Sequence, residues 1–233
     1  MKIELCIPAH NEGTIIAESA QHVVRVLREN GRNAQVTVID NASADDTAAI
    51  ARRIDGVTVL AVTERGKGAA VVGAARASNT EIFGFIDADL SVDPEEAIPM
   101  LVSIENGVCD IAIGSRLIDS SIVDRGMLRS VSSRVFNAIR RMIVGIKAED
   151  TQCGLKIMNA RGRAILALCN ETGWFFDVEF LARAERAGLR IQEVPVHWNE
   201  HRFADRASKL RLLRDGFGAI AAMLRIRYRA MLK

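Results

Sequence analysis

Two carboxylates one residue apart, Asp87 and Asp89, close the apolar run Ile82-Phe83-Gly84-Phe85-Ile86. Such a run reads as a buried strand, and along a strand residues i and i+2 face the same way. Two anions facing together repel unless a cation lies between or beside them. Paired hard oxygen donors suit Mg²⁺ or Mn²⁺ shared with a diphosphate. An acidic cap for the helix expected near Pro94 is the plainer alternative, and the short motif alone leaves both open.

Other residues with chemical potential fall at comparable places. Asp40 ends the run Val36-Thr37-Val38-Ile39. A carboxylate there can accept from a base N–H or a ribose hydroxyl, although Asp40-Asn41-Ala42-Ser43 is also good turn chemistry. Gly66-Lys67-Gly68 precedes a helix expected from Ala69 to Ser78. Glycines there let backbone N–H groups approach an anion, and the lysine adds a point charge. The segment is neither a Walker A loop nor a dinucleotide fingerprint, and a glycine-rich turn with a solvated lysine is the alternative. His10, His22, His197 and His201 lack ligand-like spacing and read as structural or loop residues. Trp174 either stacks on a sugar or fills the core.

The elements that must position these residues alternate. Leu5-Cys6-Ile7 is a strand, followed by a helix from about Thr14 to Asn30 with Gly31 as its stop. The strand ending at Ile39 leads through Ser43 and Asp46, spaced like a capping box, into a helix to about Ile54. Val57 to Val62, Ile82 to Ile86 and Ile111 to Ile113 are further strands with helices between them. Strand–helix alternation predicts an α/β fold, a mostly parallel Rossmann-like sheet flanked by helices. In such sheets ligands bind at the carboxyl ends of the strands, where Pro8 to Glu12, Asp40, Asp87 and Asp89 all fall. Two amphipathic helices are expected later, Leu128 to Ile146 with its arginines away from the apolar stripe, and Leu210 to Met231 with an arginine stripe along one side of it. They are either ordinary surface helices or a face that lies on anionic lipid.

Composition narrows the class. A chain of 233 residues fits one domain, and a net charge of +2 calls for no nucleic-acid partner. From His201 onward there are nine Lys/Arg against two Asp/Glu, so that tail carries +7 and the rest −5. A basic tail on an acidic body points to a surface that meets anions. Four scattered cysteines, Cys6, Cys109, Cys153 and Cys169, indicate a reducing, cytoplasmic setting. Met1-Lys2-Ile3-Glu4-Leu5 enters a strand at once, so no signal peptide is expected. No apolar stretch approaches the length of a membrane span, so attachment to a membrane is expected to be peripheral or through a partner.

Pro8-Ala9-His10-Asn11-Glu12, Ile39 to Thr47, Gly66-Lys67-Gly68, Asp87-Ala88-Asp89 and Gly114-Ser115-Arg116 occur in an order and spacing that resembles family 2 glycosyltransferases of the GT-A fold. Asp150-Thr151-Gln152-Cys153-Gly154-Leu155-Lys156, Trp174 with Phe176-Asp177-Val178-Glu179, Val194 to Trp198 and Ser208-Lys209 resemble the dolichyl- and polyprenyl-phosphate glucosyl- and mannosyltransferases. The segment from Asp150 is most like the glucosyl branch. The resemblance implies one GT-A domain over 1–233, with 1–116 as the nucleotide-sugar half and 117–233 as the acceptor half with membrane-facing helices.

By that resemblance Pro8, Asn11, Glu12, Asp40, Lys67, Asp87 and Lys209 hold the donor. Asp87, Asp89 and Ser91 surround the metal. Arg116, Arg129, Ser133, Gln152, Trp174 and Asp177 meet the acceptor, and Asp89, Arg116 and Asp150 are the catalytic set. The implied reaction moves a hexose, glucose from UDP-glucose ahead of mannose from GDP-mannose, to a polyprenyl phosphate with inversion, at the cytoplasmic face of a membrane. Three departures stand out: Ser91 replaces a glutamine ligand, Asn41-Ala42 replace an Asp and a Gly, and Ala207 replaces a Gly before Ser208-Lys209.

A phosphate acceptor is largely ionised at neutral pH, its second pKa lying near ~6, so a base has little proton to remove. Asp150 is then expected to position rather than deprotonate. With a soluble hydroxyl acceptor a base is required, and Asp150 becomes its leading candidate. A nucleotide-sugar-binding module without activity is the remaining alternative, and the intact Asp87-Ala88-Asp89 argues against it.

Overall fold

The computed structural model describes residues 1–118, the backbone of 122–124, and residues 143–199 and 223–227. Strands and helices alternate through the first half: β1 (Ile3–Ala9), α1 (Ile16–Glu29), β2 (Ala34–Asp40), α2 (Thr47–Ala51), β3 (Val57–Ala61), α3 (Lys67–Ala77) and β4 (Ile82–Ile86). A 3₁₀ turn (Pro94–Glu96), capped by the Asp93 carboxylate, leads into α4 (Ala97–Glu105) and β5 (Ile111–Ser115). Then come β6 (Ile122–Asp124), β7 (Leu155–Asn159), α5 (Ala160–Ala167), α6 (Phe176–Arg186), β8 (Ile191–Pro195) and β9 (His197–Asn199).

Seven strands form one sheet in the order β3-β2-β1-β4-β7-β5-β8, and β6 pairs with β9. The expected α/β architecture is present. β7 is the exception to parallel pairing: it inserts antiparallel between β4 and β5. Coming back from the far side, it brings the segment just before it to the edge where β4 and β5 end.

Alternation along the strands feeds two cores. Ile3, Leu5 and Ile7 of β1 pack with α1 and α4, whereas Cys6 faces the opposite side. On β4, Ile82 and Ile86 join the first core while Phe83 and Phe85 join the second, against α3 and Phe176 and Phe180 of α6. Burying each such phenylalanine stabilises the fold by roughly 1.5–3 kcal/mol. Gly84 has no side chain because a Cβ there would press on Leu5 and on the carbonyl of Lys156, each 3.0 Å away.

Three local expectations need correction. Ser43 and Asp46 do not form a capping box: α2 has no side-chain cap, and the Ser43 hydroxyl accepts the Asn11 N–H instead. Helix to Ile146 is also too long, because Gly145 takes φ +80 and the chain leaves helical geometry after Val144. The rest of that helix lies outside the described residues, as does most of Leu210 to Met231, of which residues 223–227 are helical. Thirdly, β4 stops at Ile86, so Asp87 and Asp89 are not strand neighbours i and i+2. They stand in a turn closed by Leu90 N–H donating to the Asp87 carbonyl, with Leu90 at φ +46. Among the described residues no helix is long and apolar enough to cross a membrane.

Candidate active site

The carboxyl ends of β1 and β2 carry two loops that hold each other. Asn11, at φ +53, accepts the Ala44 N–H at 2.7 Å through Oδ1. The Glu12 N–H donates to the Thr47 hydroxyl at 2.8 Å, and the Gly13 N–H to Asp45 at 3.0 Å. His10 Nδ1 lies 2.7 Å from the Asn41 carbonyl, a loop role as expected. Pro8 is half-buried and Glu12 buried beneath this pair of loops. Asp40 accepts the Ser43 N–H at 3.3 Å, which is turn chemistry. Buried Asn41 donates to the carbonyls of Val62 and Glu64 and accepts the Gly66 N–H. It ties the end of β2 to the loop before α3.

The glycines around Lys67 seat the protein's own chain. A Cβ on Gly66 would overlap the Thr172 carbonyl, and one on Gly68 would strike the Glu171 carbonyl and Phe176. The Ala69 N–H, near the start of α3, already donates to the Thr172 carbonyl at 3.0 Å. Gly66 and Gly68 are small because the protein's own 171–173 loop seats against them. Nor is Lys67 a solvated lysine. Its ammonium lies 2.6 Å from Asp87 Oδ1, with side chains 10% and 31% exposed respectively. A cation does sit beside Asp87, and in this structure it is Lys67.

Charges alternate inward from there. Burial alone would lower the Lys67 ammonium, but Asp87 and Asp177 outweigh it and raise it. Trp174, 44% exposed, has its ring centroid 5.4 Å from Lys67 Nζ, so it caps the pair rather than filling the core. Asp177 is enclosed, 2.7 Å from the Nζ of fully buried Lys156. Burial raises the Asp177 carboxyl despite Lys156 and Lys67. Lys156 also donates to the Cys153 carbonyl at 2.7 Å and faces the Phe85 ring. Asp177 therefore acts through the two lysines, being shielded from anything outside. Lys156 had no role assigned from sequence, though a lysine inside Leu155-Lys156-Ile157-Met158 was the available signal, since buried ammonium groups require a partner.

Arg116 follows β5 and is gripped by Asp150. The carboxylate accepts the Arg116 backbone N–H at 2.9 Å, Nε–H at 2.7 Å and Nη2–H at 2.9 Å. It accepts the Gln152 N–H as well, at 3.2 Å. Burial would raise the Asp150 carboxyl, yet the Arg116 charge and its N–H donors hold it below the usual carboxylate range. Arg116 lies over the Trp198 ring at 5.7 Å, and the charge of Asp87 reaches it. Gln152 Nε2 is enclosed without a hydrogen-bond partner among the described residues.

Among the described residues no three or more His, Cys, Asp or Glu gather as a metal cage. Asp87 and Asp89 are half-buried at the mouth, with Asp89 Oδ1 accepting the Ser91 N–H at 3.1 Å. One or two carboxylates completed by phosphate oxygens and water is the set Mg²⁺ favours, so the residues present fit such an ion. Arg129, Ser133 and Lys209 lie outside the described residues. A cavity of about 440 Å³ borders Ile146 and Ile191 and includes none of the site residues named above.

Residues 4–162 match the model of the family described as glycosyl transferase family 2. The chain belongs to that family and is a glycosyltransferase of the GT-A fold. It is 29% identical to glycosyltransferase AglD of Haloferax volcanii over 97% of its own length, but spans only 37% of that protein. It is also 29% identical to the dolichyl-phosphate beta-glucosyltransferase of Saccharomyces cerevisiae, over 85% of this chain and 67% of that one. Among solved structures, the Mycobacterium tuberculosis glucosyl-3-phosphoglycerate synthase complex with Mn²⁺, UDP and glucosyl-3-phosphoglycerate shares the fold. Its TM-score is 0.69 at 21% identity, over 97% of this chain and 79% of that one. Mannosyl-3-phosphoglycerate synthase of Rubrobacter xylanophilus does so with a TM-score of 0.70 at 18% identity, over 99% and 74%.

Proposed function

We propose that this protein transfers a hexose from a nucleoside diphosphate sugar, glucose from UDP-glucose in the first instance, to the phosphate of a polyprenyl phosphate. Residues 1–116 serve as the donor half and 117–233 as the acceptor half of one domain. The observation that carries the reading is the state of Asp150: buried, held ionised, and engaged by three N–H groups of Arg116. A carboxylate so occupied is poorly placed to take a proton, which suits a nucleophile already ionised. Arg116, oriented by that grip, offers a planar cation to an acceptor phosphate. The dolichyl-phosphate beta-glucosyltransferases among the relatives support the lipid acceptor.

Asp89 and Asp87 are the residues to hold Mg²⁺ or Mn²⁺, which when bound would neutralise charge on the departing diphosphate. Lys67, set between Asp87 and Asp177, supplies a second fixed positive charge, and Trp174 stands over it as a candidate sugar platform. Ser91 lies beside Asp89, bonded to it through its backbone rather than offered by any observed contact of its hydroxyl.

A soluble acceptor is the second reading. The solved neighbours favour it, since those two are named for 3-phosphoglycerate products. A panel of UDP- and GDP-sugars with Mn²⁺ or Mg²⁺, offered a short polyprenyl phosphate and 3-phosphoglycerate in parallel, separates the readings by product mass. Product only from phosphoglycerate overturns the lipid acceptor, and turnover unaffected by chelator overturns the metal.

A further inference from the structure

Four successive backbone N–H groups, those of residues 147–150, converge on two carboxylates. Glu185 on α6 accepts the Lys147 N–H at 2.9 and 3.1 Å and the Ala148 N–H at 3.2 Å. Glu193 on β8 accepts the Glu149 N–H at 2.8 Å and the Asp150 N–H at 3.0 Å. Neither glutamate belongs to the motifs that carry the family resemblance.

The segment they hold is neither helix nor strand. The cavity of about 440 Å³ borders it, with Glu185 and Glu193 in the cavity lining, so packing does not enclose it fully. Fixing the chain here falls to charge-assisted hydrogen bonds, which are about twice as strong as neutral ones. What the segment delivers is Asp150, and Asp150 sets all three of the Arg116 donors named above. The sheet closes the circuit: Glu193 pairs in register with Ile113 on β5, the strand that ends just before Arg116.

We propose that Glu193 is a positioning residue for the transfer, setting the Arg116 guanidinium through Asp150. The relay runs from the Glu193 carboxylate to the N–H groups of Glu149 and Asp150, and from the Asp150 carboxylate to Arg116. Its consequence for catalysis rests on the reading of Arg116 as receiver of the acceptor phosphate. Glu185 grips the same segment two residues farther from Asp150 and serves as the comparison.

In Glu193→Gln one N–H keeps an oxygen acceptor while the other meets an amide NH₂, so the register of Asp150 is lost. Glu193→Asp keeps the charge with a shorter reach and should restore part of the effect. The direct readout is hydrogen exchange at the Arg116 Nε–H by ¹⁵N–¹H NMR on the full chain. Loss of one charge-assisted bond should speed that exchange about tenfold in Glu193→Gln and leave Glu185→Gln within about twofold. Kinetically, KM for a short-chain polyprenyl phosphate should rise by a similar factor, with KM for UDP-glucose and Tm close to wild type. Unchanged Nε–H exchange in Glu193→Gln overturns the relay whatever the acceptor is. Equal losses of Tm and of every kinetic constant in both glutamate variants overturn it too, since that is the signature of a purely structural role. Quickened exchange together with an acceptor KM indifferent to Arg116→Lys sustains the relay and instead sinks the reading of Arg116.

Discussion

Loops at the ends of β1 and β2 are held almost wholly by neutral side chain-to-backbone hydrogen bonds, from Asn11, Asn41, Ser43 and Thr47. Asp40 and Asp45 are the exceptions, Asp40 accepting the Ser43 N–H and Asp45 those of Gly13 and Thr47. Around β7 the opposite holds, with the buried pairs Lys156–Asp177 and Arg116–Asp150 fixing the chain by charge. Neutral bonds exchange well with water and cost little to desolvate, so they hold a loop with small penalties on either side. Buried charges cost much to desolvate and become strongly destabilising once a partner is removed. The neutral bonds of the donor side should therefore respond independently of pH, and the buried β7 pairs with pH, most severely where a charge is left enclosed without its partner.

The sharpest break is Lys156→Met. It leaves the Asp177 carboxylate enclosed with its nearest cation gone, a loss of about 3–5 kcal/mol for a broken buried pair. The deficit should shrink in acid, because Asp177, already raised by burial, takes up a proton as pH falls and sheds the stranded charge. Denaturant melts at neutral and acid pH check both parts. A variant as stable as wild type at neutral pH would show that Lys67 alone satisfies Asp177.

Asp150→Asn comes next. The folded carboxyl is depressed, so its stabilisation is present above the ordinary carboxylate pKa near ~3.9 and is lost as pH falls through the depressed value. The variant should lose about 1–3 kcal/mol near neutrality and show a flatter acid limb. Its activity should fall less than that of Asp89→Ala, because positioning is impaired but not the carboxylate assigned to the metal. Equal inactivation of both, with UDP binding intact, would make Asp150 a base after all.

The contrast also governs what was legible in the sequence. Asp40-Asn41-Ala42-Ser43 announced a turn because its bonds join residues near in sequence or at neighbouring strand ends. Alternating apolar runs likewise disclosed β1 to β5 and the edge at which Asp40, Asp87 and Asp89 stand. The charged side was hidden, because Lys156–Asp177 and Arg116–Asp150 join residues remote in sequence, brought together by an antiparallel strand that strand–helix alternation does not announce. One role of Gly66-Lys67-Gly68 was hidden for the same reason: its glycines leave room for the distant 171–173 loop.

Asn41→Ala tests the neutral side. It removes three hydrogen bonds from a buried amide, strands the Gly66 N–H, and should cost about 1–3 kcal/mol. Unlike the charged variants, the loss should be the same at every pH from mildly acid to mildly alkaline, since no group that ionises there is removed. A clear pH slope would mean that the loop is coupled to a group that ionises within that range, and that the two regions are not independent.

Ala42→Gly is the smallest effect and the only gain. Ala42 sits at φ +53, where an L side chain crowds the following carbonyl oxygen. Asn11 shares that φ in the facing loop, but asparagine tolerates it, and its side chain accepts the Ala44 N–H in return. Glycine at 42 removes the crowding and gives back part of the gain as extra freedom of the unfolded chain, leaving about 0.5–1 kcal/mol. Little packing is forfeited, since Ala42 is only half-buried. A rise in Tm with unaltered UDP affinity is expected, because the gain is confined to a loop already fixed by Asn41 and Ser43. A fall in Tm would show that the methyl group packs more than its exposure implies, and that neutral loops too depend on close contact.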